Sequence, residues 1–110
     1  MSELDIAYEI NDDVGTLTIS KPPVNALSYE EVSLLREEIH TIPRNDELAV
    51  VLRTAGSKVF MGGHDITDLQ TTTPTKERDG TDSYLAFLEE LYELPIPTIV
   101  AIDGWCRKAV

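Results

Sequence analysis

An apolar run, Leu48-Ala49-Val50-Val51-Leu52, is followed closely by Phe60-Met61-Gly62-Gly63-His64-Asp65-Ile66 and then by an apolar and acidic stretch. Strand, glycine turn and helix start in quick succession constrain the fold more than any other feature. A buried strand must deliver the chain to a sharp bend whose backbone N–H groups are open to a negatively charged atom. Adjacent glycines permit the bend and let the backbone approach a ligand closely.

The flanking segments supply the elements around that bend. Ile6–Ile10 and Thr16–Ser20 alternate apolar and polar residues, and Asn11–Gly15 between them reads as a turn, so a hairpin is expected. Lys21-Pro22-Pro23 ends the second strand. Ser28 and Glu31 match a capping box, and Val32, Leu35 and Ile39 recur at helical spacing, which predicts a helix from Tyr29 to about His40, ended before Pro43. A buried strand over Leu48–Arg53, a turn at Ala55-Gly56-Ser57 and an extended piece at Lys58–Met61 follow. The polar, threonine-rich stretch Gln70–Gly80 reads as a mobile loop. Tyr84, Leu85, Leu88, Leu91 and Tyr92 predict a second helix from about Asp82, stopped by Pro95, and Thr98–Ile102 a last strand. The order ββαββαβ predicts the α/β class, with helices covering a sheet.

Charge and composition exclude several functions. With 20 acidic against 9 basic residues in 110, the net charge of −11 repels nucleic acid and anionic membranes. No segment approaches the length of a membrane span, and the acidic start does not resemble a signal peptide. Cys106 is the single cysteine, which excludes an intrachain disulfide, fits a reducing cytoplasm and suggests a buried, unreactive thiol.

Four stretches in order resemble the crotonase, or enoyl-CoA hydratase/isomerase, superfamily. Lys21-Pro22-Pro23-Val24-Asn25-Ala26-Leu27-Ser28 is similar to its (Arg/Lys)-Pro-x-x-(Lys/Val)-Asn-Ala-(Leu/Met) segment, and Leu48–Thr54 to the buried strand that follows. Phe60–Ile66 is similar to Phe-x-(Ala/Gly)-Gly-x-Asp-(Ile/Leu), and Pro95–Gly104 to Pro-x-Pro-(Val/Thr)-(Ile/Val)-Ala-x-(Val/Ile)-(Asn/Asp)-Gly. The resemblance implies an incomplete crotonase-like (ClpP/crotonase) spiral. Residues 1–110 would be its N-terminal part, without the second half of the core and the C-terminal helices.

By that resemblance the His64 backbone N–H is half of an oxyanion hole for an acyl-CoA thioester. Gly62, Gly63, His64 and Asp65 border the substrate, and Lys21 is a candidate for a coenzyme A phosphate. Coenzyme A would enter as part of the substrate, with no separate cofactor and no metal. The family's second oxyanion donor comes from a glycine triplet, whose register here holds Arg107-Lys108-Ala109-Val110, and its catalytic glutamates lie further on. The expectation is therefore acyl-CoA binding without hydratase activity. The alternative is a non-catalytic short protein that binds coenzyme A or a partner. A homo-oligomer or a loosely packed monomer is expected, because a half-spiral leaves apolar faces uncovered.

The resemblance also implies a lesser role for the His64 side chain than for its backbone, and, read from the residues, His40 suits a helix C-terminus. Asp65 and Asp68, three residues apart, suit the start of a helix. Asn25 is expected to fix the loop into the first helix. The pairs Glu30-Glu31, Glu37-Glu38 and Glu89-Glu90 are expected to be solvated helix surface.

Overall fold

A computed structural model describes residues 4–42, 49–56 and 58–106. Strands β1 (Asp5–Asn11) and β2 (Val14–Ser20) form an antiparallel hairpin. Asp12 and Asp13 have φ of 51° and 66°, the two left-handed residues of a type I′ turn. The turn is shorter than the sequence suggests: Val14 and Gly15 already pair with Asn11 and Ile10.

Helix α1 (Tyr29–Thr41) starts at the expected capping box, with Ser28 and Glu31 each bonding the other's backbone N–H. It crosses over to β3 (Ala49–Thr54), which lies parallel to β2. Leu48, Pro43 and Ser57 lie outside the described residues. Strand β4 (Val59–Met61) leads to the glycine turn, then to the short α2 (Ile66–Thr71) and the long α3 (Pro74–Tyr92). Strand β5 (Thr98–Val100) joins the edge of the sheet, giving the order β1-β2-β3-β5. A last short strand, β6 (Trp105–Cys106), runs parallel to β4 in a separate two-stranded sheet.

The predicted mobile loop over Gln70–Gly80 is mostly helical instead, the end of α2 and the start of α3 separated by Thr72 and Thr73. Thr73 caps α3 by accepting from the Lys76 N–H, and Pro74 takes the first helical position, where its missing donor does no harm. Gly80 lies inside that helix because α1 comes very close: a Cβ there would sit 2.2 Å from the Tyr29 ring. The glycine that suggested a loop is a packing requirement.

The core lies between the sheet and the two long helices. Leu17 and Ile19 of β2 and Val50 and Leu52 of β3 present one face. Val32, Leu35 and Ile39 of α1, with Phe87 of α3, cover it. Cys106 is exposed, contrary to the buried thiol expected, because it lies at the outer end of β6 rather than in the main sheet.

A polar seam joins α1 to α3. Arg36 grips Glu90 through Nε at 2.8 Å and Nη2 at 3.2 Å, and His40 Nε2 lies 2.9 Å from the same carboxyl. His40 thus serves the neighbouring helix, and Glu90 is not simply solvated surface. The Arg36 hydrogen bonds, with His40 adding to them, outweigh the opposing effect of burial and hold the Glu90 pKa at about 2. A carboxyl depressed in the fold contributes stability above its unfolded value and loses it as pH falls through the folded one. The melting temperature should therefore be level near neutrality and drop steeply from about pH 4.5 towards pH 2. Thermal melts across that range check this, and a flat profile would count against the seam.

Candidate functional site

The site is assembled where the loop between β2 and α1 meets the glycine turn. Asn25 organises that loop. Its backbone takes φ 55°, which Asn tolerates better than most residues. Its Oδ1 accepts from the Lys21 N–H at 2.8 Å. Its Nδ2 donates towards the carbonyls of Ala55, Val59 and Phe60, at 3.1 to 3.3 Å. One buried side chain thereby fixes the loop into α1, as expected, and also ties it to β4.

Leu27 then forms a parallel bridge with His64. The Leu27 N–H donates to the Gly63 carbonyl at 3.1 Å, and the Asp65 N–H donates to the Leu27 carbonyl at 2.9 Å. In a parallel ladder these bonds bracket the central residue, whose own N–H points to the opposite side. The His64 N–H thus takes no part in the bridge, and among the described residues it has no backbone acceptor. Gly63, just before it, has φ 98°, a conformation that only glycine adopts readily. Gly62 is held close to the loop: a Cβ there would lie 2.6 Å from the Val24 carbonyl oxygen.

Two aspartates lock the turn. Asp65 caps α2 by accepting from the Thr67 and Asp68 N–H groups. Lys21 Nζ lies 2.9 Å from Asp65 and also pairs with Glu31. The Lys21 hydrogen bond is the main cause of the lowered Asp65 pKa. Burial acts to lower the Lys21 pKa, but the two carboxylates outweigh it and the net shift is upward. Glu31 is 3% exposed, which overturns its assignment to solvated surface. Asp68 does not act mainly on its own helix. It accepts from the Tyr29 N–H, capping α1, and lies 2.8 Å from His64 Nε2. Lys76 approaches its other oxygen at 3.4 Å.

Beside the turn, the space between α1, α3 and the sheet holds an apolar cavity of about 470 Å³. Leu35, Leu52, Phe60, Met61 and Phe87 contribute to its wall, and His64 lines it too. The expected residues Gly62, Gly63, His64, Asp65 and Lys21 thus converge on one corner of the fold. Leu27 and Asp68 are the partners that sequence reasoning did not assign. The His64–Asp68 spacing of one helical turn was the available signal. Among the described residues no cluster of three His, Cys, Asp or Glu side chains could hold a metal ion.

The family profile for enoyl-CoA hydratase/isomerase matches residues 9–109. The chain belongs to the enoyl-CoA hydratase/isomerase family. A probable enoyl-CoA hydratase of Mycobacterium avium is 33% identical over 106 residues, covering 87% of this chain and 37% of that protein. A probable enoyl-CoA hydratase of Rhodobacter capsulatus is 30% identical, covering 94% and 40%. Among solved structures, an enoyl-CoA hydratase/carnithine racemase from Magnetospirillum magneticum superposes with a TM-score of 0.81 at 28% identity. It covers 94% of this chain and 40% of the other. Pseudomonas aeruginosa DspI gives a TM-score of 0.81 at 25% identity, covering 90% and 41%. The α/β architecture is thus part of the crotonase fold. This family member spans about two fifths of the length of the relatives it matches. None of its described helices is long and apolar enough to cross a membrane.

Proposed function

We propose that this chain binds an acyl-CoA, with coenzyme A entering as part of the substrate, and directs the His64 backbone N–H at the thioester oxygen. The observation that carries this reading is the His64 N–H left over by the Leu27 bridge, beside Gly63 at φ 98° and at the wall of an apolar cavity. A thioester oxygen gains negative charge when the acyl group is attacked or enolised, and a fixed donor in a dry corner stabilises that charge. The cavity suits the acyl chain. Gly62 lets the turn pack against the loop and Gly63 lets it bend, while Asp65 holds the turn rather than touching the substrate. Lys21, committed to two carboxylates, holds the turn in place of the coenzyme A phosphate role considered for it.

Hydration of a carbon–carbon double bond needs a positioned acid–base carboxyl. Among the described residues no carboxyl lines the cavity, and Asp65 and Asp68 are engaged by cations and N–H groups. The chain alone is therefore expected to bind acyl-CoA without hydrating crotonyl-CoA. Titration calorimetry with hexanoyl-CoA should give an isotherm that Gly63→Val weakens roughly tenfold or more, the scale of one lost hydrogen bond to a charged group. An unchanged isotherm in a folded G63V variant would place the ligand elsewhere, and crotonyl-CoA turnover would refute the inactivity.

A second reading, self-association, is favoured by the uncovered apolar residues. Leu85 is 54% exposed, Ile99 52%, Ile102 60% and Trp105 71%. Strand β5 is an edge of the sheet, and such edges and patches seek partners. A homo-oligomer is the proposed state, and a monomer in sedimentation equilibrium would count against it.

A further inference from the structure

The apolar cavity carries one imidazole on its wall. The His64 side chain is 5% exposed and its ring stacks at a tilt on Tyr29, with centroids 4.2 Å apart. Nε2 lies 2.8 Å from Asp68 Oδ2. Burial alone would raise the Asp68 pKa, but bonds from the Tyr29 N–H, His64 and Lys76 outweigh it and keep the group ionised. A carboxylate can only accept, so the hydrogen of this contact sits on Nε2. In the neutral ring Nδ1 then carries a lone pair and no hydrogen.

Among the described residues Nδ1 has no hydrogen-bond partner. The fully buried side-chain atom without a partner, among the described residues, is Thr54 Oγ1, so Nδ1 keeps some access. In the neutral ring Nδ1 is therefore an open acceptor, on a residue that lines a largely aliphatic and aromatic cavity. Cys106 and Tyr84 also line the cavity, but neither carries a comparable constraint on which role it plays.

We infer that the cavity selects an aliphatic ligand bearing a hydroxyl group, whose hydrogen is accepted by His64 Nδ1 while Asp68 holds the ring. The apolar wall favours any chain of suitable size. A chain without a donor displaces the water on Nδ1 and leaves the acceptor unpaired, whereas a hydroxyl satisfies it. Asp68 is a positioning residue in this arrangement. The inference concerns the imidazole and stands apart from the thioester reading, so the probes below contain no coenzyme A.

Octanol and its isomer heptyl methyl ether differ in having and lacking an O–H donor. Both are titrated into the full chain in mildly alkaline buffer, with the imidazole nitrogens followed by NMR. Octanol should bind roughly three- to tenfold more tightly than the ether and move the Nδ1 resonance, which the ether leaves in place. In His64→Phe, which keeps a flat ring against Tyr29, the two should bind alike. Equal binding by the unmodified chain, a preference that survives H64F, or no effect of either probe on the imidazole would overturn the inference. If H64F does not fold, the Nδ1 resonance of the unmodified chain decides alone.

Discussion

Asn25→Ala is expected to remove about 4 kcal/mol of stability, a large share of the roughly 5–15 kcal/mol that holds a domain folded. Asn25 is 4% exposed, and its side chain serves one N–H and three carbonyl groups drawn from the loop, the end of β3 and β4. Alanine leaves those groups unpaired in a buried place, at about 1–3 kcal/mol for each one that water cannot reach. It also keeps the Cβ but loses the polar side chain that lets asparagine tolerate a left-handed backbone, which adds roughly 1 kcal/mol of strain. Asn25→Gly separates the two effects. Glycine removes the backbone strain but not the lost bonds, so it should fall between alanine and asparagine in a urea titration. An alanine variant within 1 kcal/mol of the unmodified chain would show that water replaces the amide, and the clamp would lose its assigned role.

Lys21→Met should cost about 3 kcal/mol, because it takes an ion-pair cation away from a buried acid. Glu31 is 3% exposed and retains the Ser28 N–H at 2.9 Å after its cation is removed. Asp65 is better placed, with its side chain 29% exposed and two helix N–H groups still bonded. Most of the loss should therefore come from Glu31. The double variant Lys21→Met/Glu31→Gln removes the buried charge that lost its cation and keeps the capping acceptor, so it should be more stable than Lys21→Met alone. Chemical unfolding of both variants checks this. If the double variant is the less stable, Glu31 does not need Lys21, and the link from α1 to the glycine turn runs through the Asp68 cap on Tyr29 instead.

Local patterns were legible in the sequence where one element decides its own boundary. Ser28 and Glu31 announced α1 because a capping box is read within one turn, and the alternation of β2 announced which side faces the core. The glycine turn was legible too, since Gly63 has no substitute at φ 98°. Contacts between distant segments were not. Gly80 reads as a loop residue until α1 is seen pressing Tyr29 against it. The cap at Thr73 and Pro74 was visible in principle but was masked by the threonine-rich composition around it. Asp68 reads as an ordinary helix-start acid, yet its partners are the first N–H of α1 and the His64 ring. Glu31 and Glu90 read as solvated because helix periodicity does not show that Lys21 and Arg36 come to meet them. The candidate site was thus legible as a backbone turn, while the groups that stiffen it were not.

These links explain how a chain spanning two fifths of its relatives can hold a defined corner. Asn25, Lys21 and Asp65 join the loop, α1, β4 and the glycine turn through bonds that lie within the described residues. The proposed oxyanion donor depends on that corner.

The most direct measurement is the amide resonance of His64 during titration with hexanoyl-CoA and, separately, with free coenzyme A. If the N–H meets the thioester oxygen, hexanoyl-CoA should move the His64 amide proton strongly downfield, and free coenzyme A should move it little. A His64 amide that responds equally to both, or to neither while resonances elsewhere shift, would contradict the assignment of the turn as a thioester site.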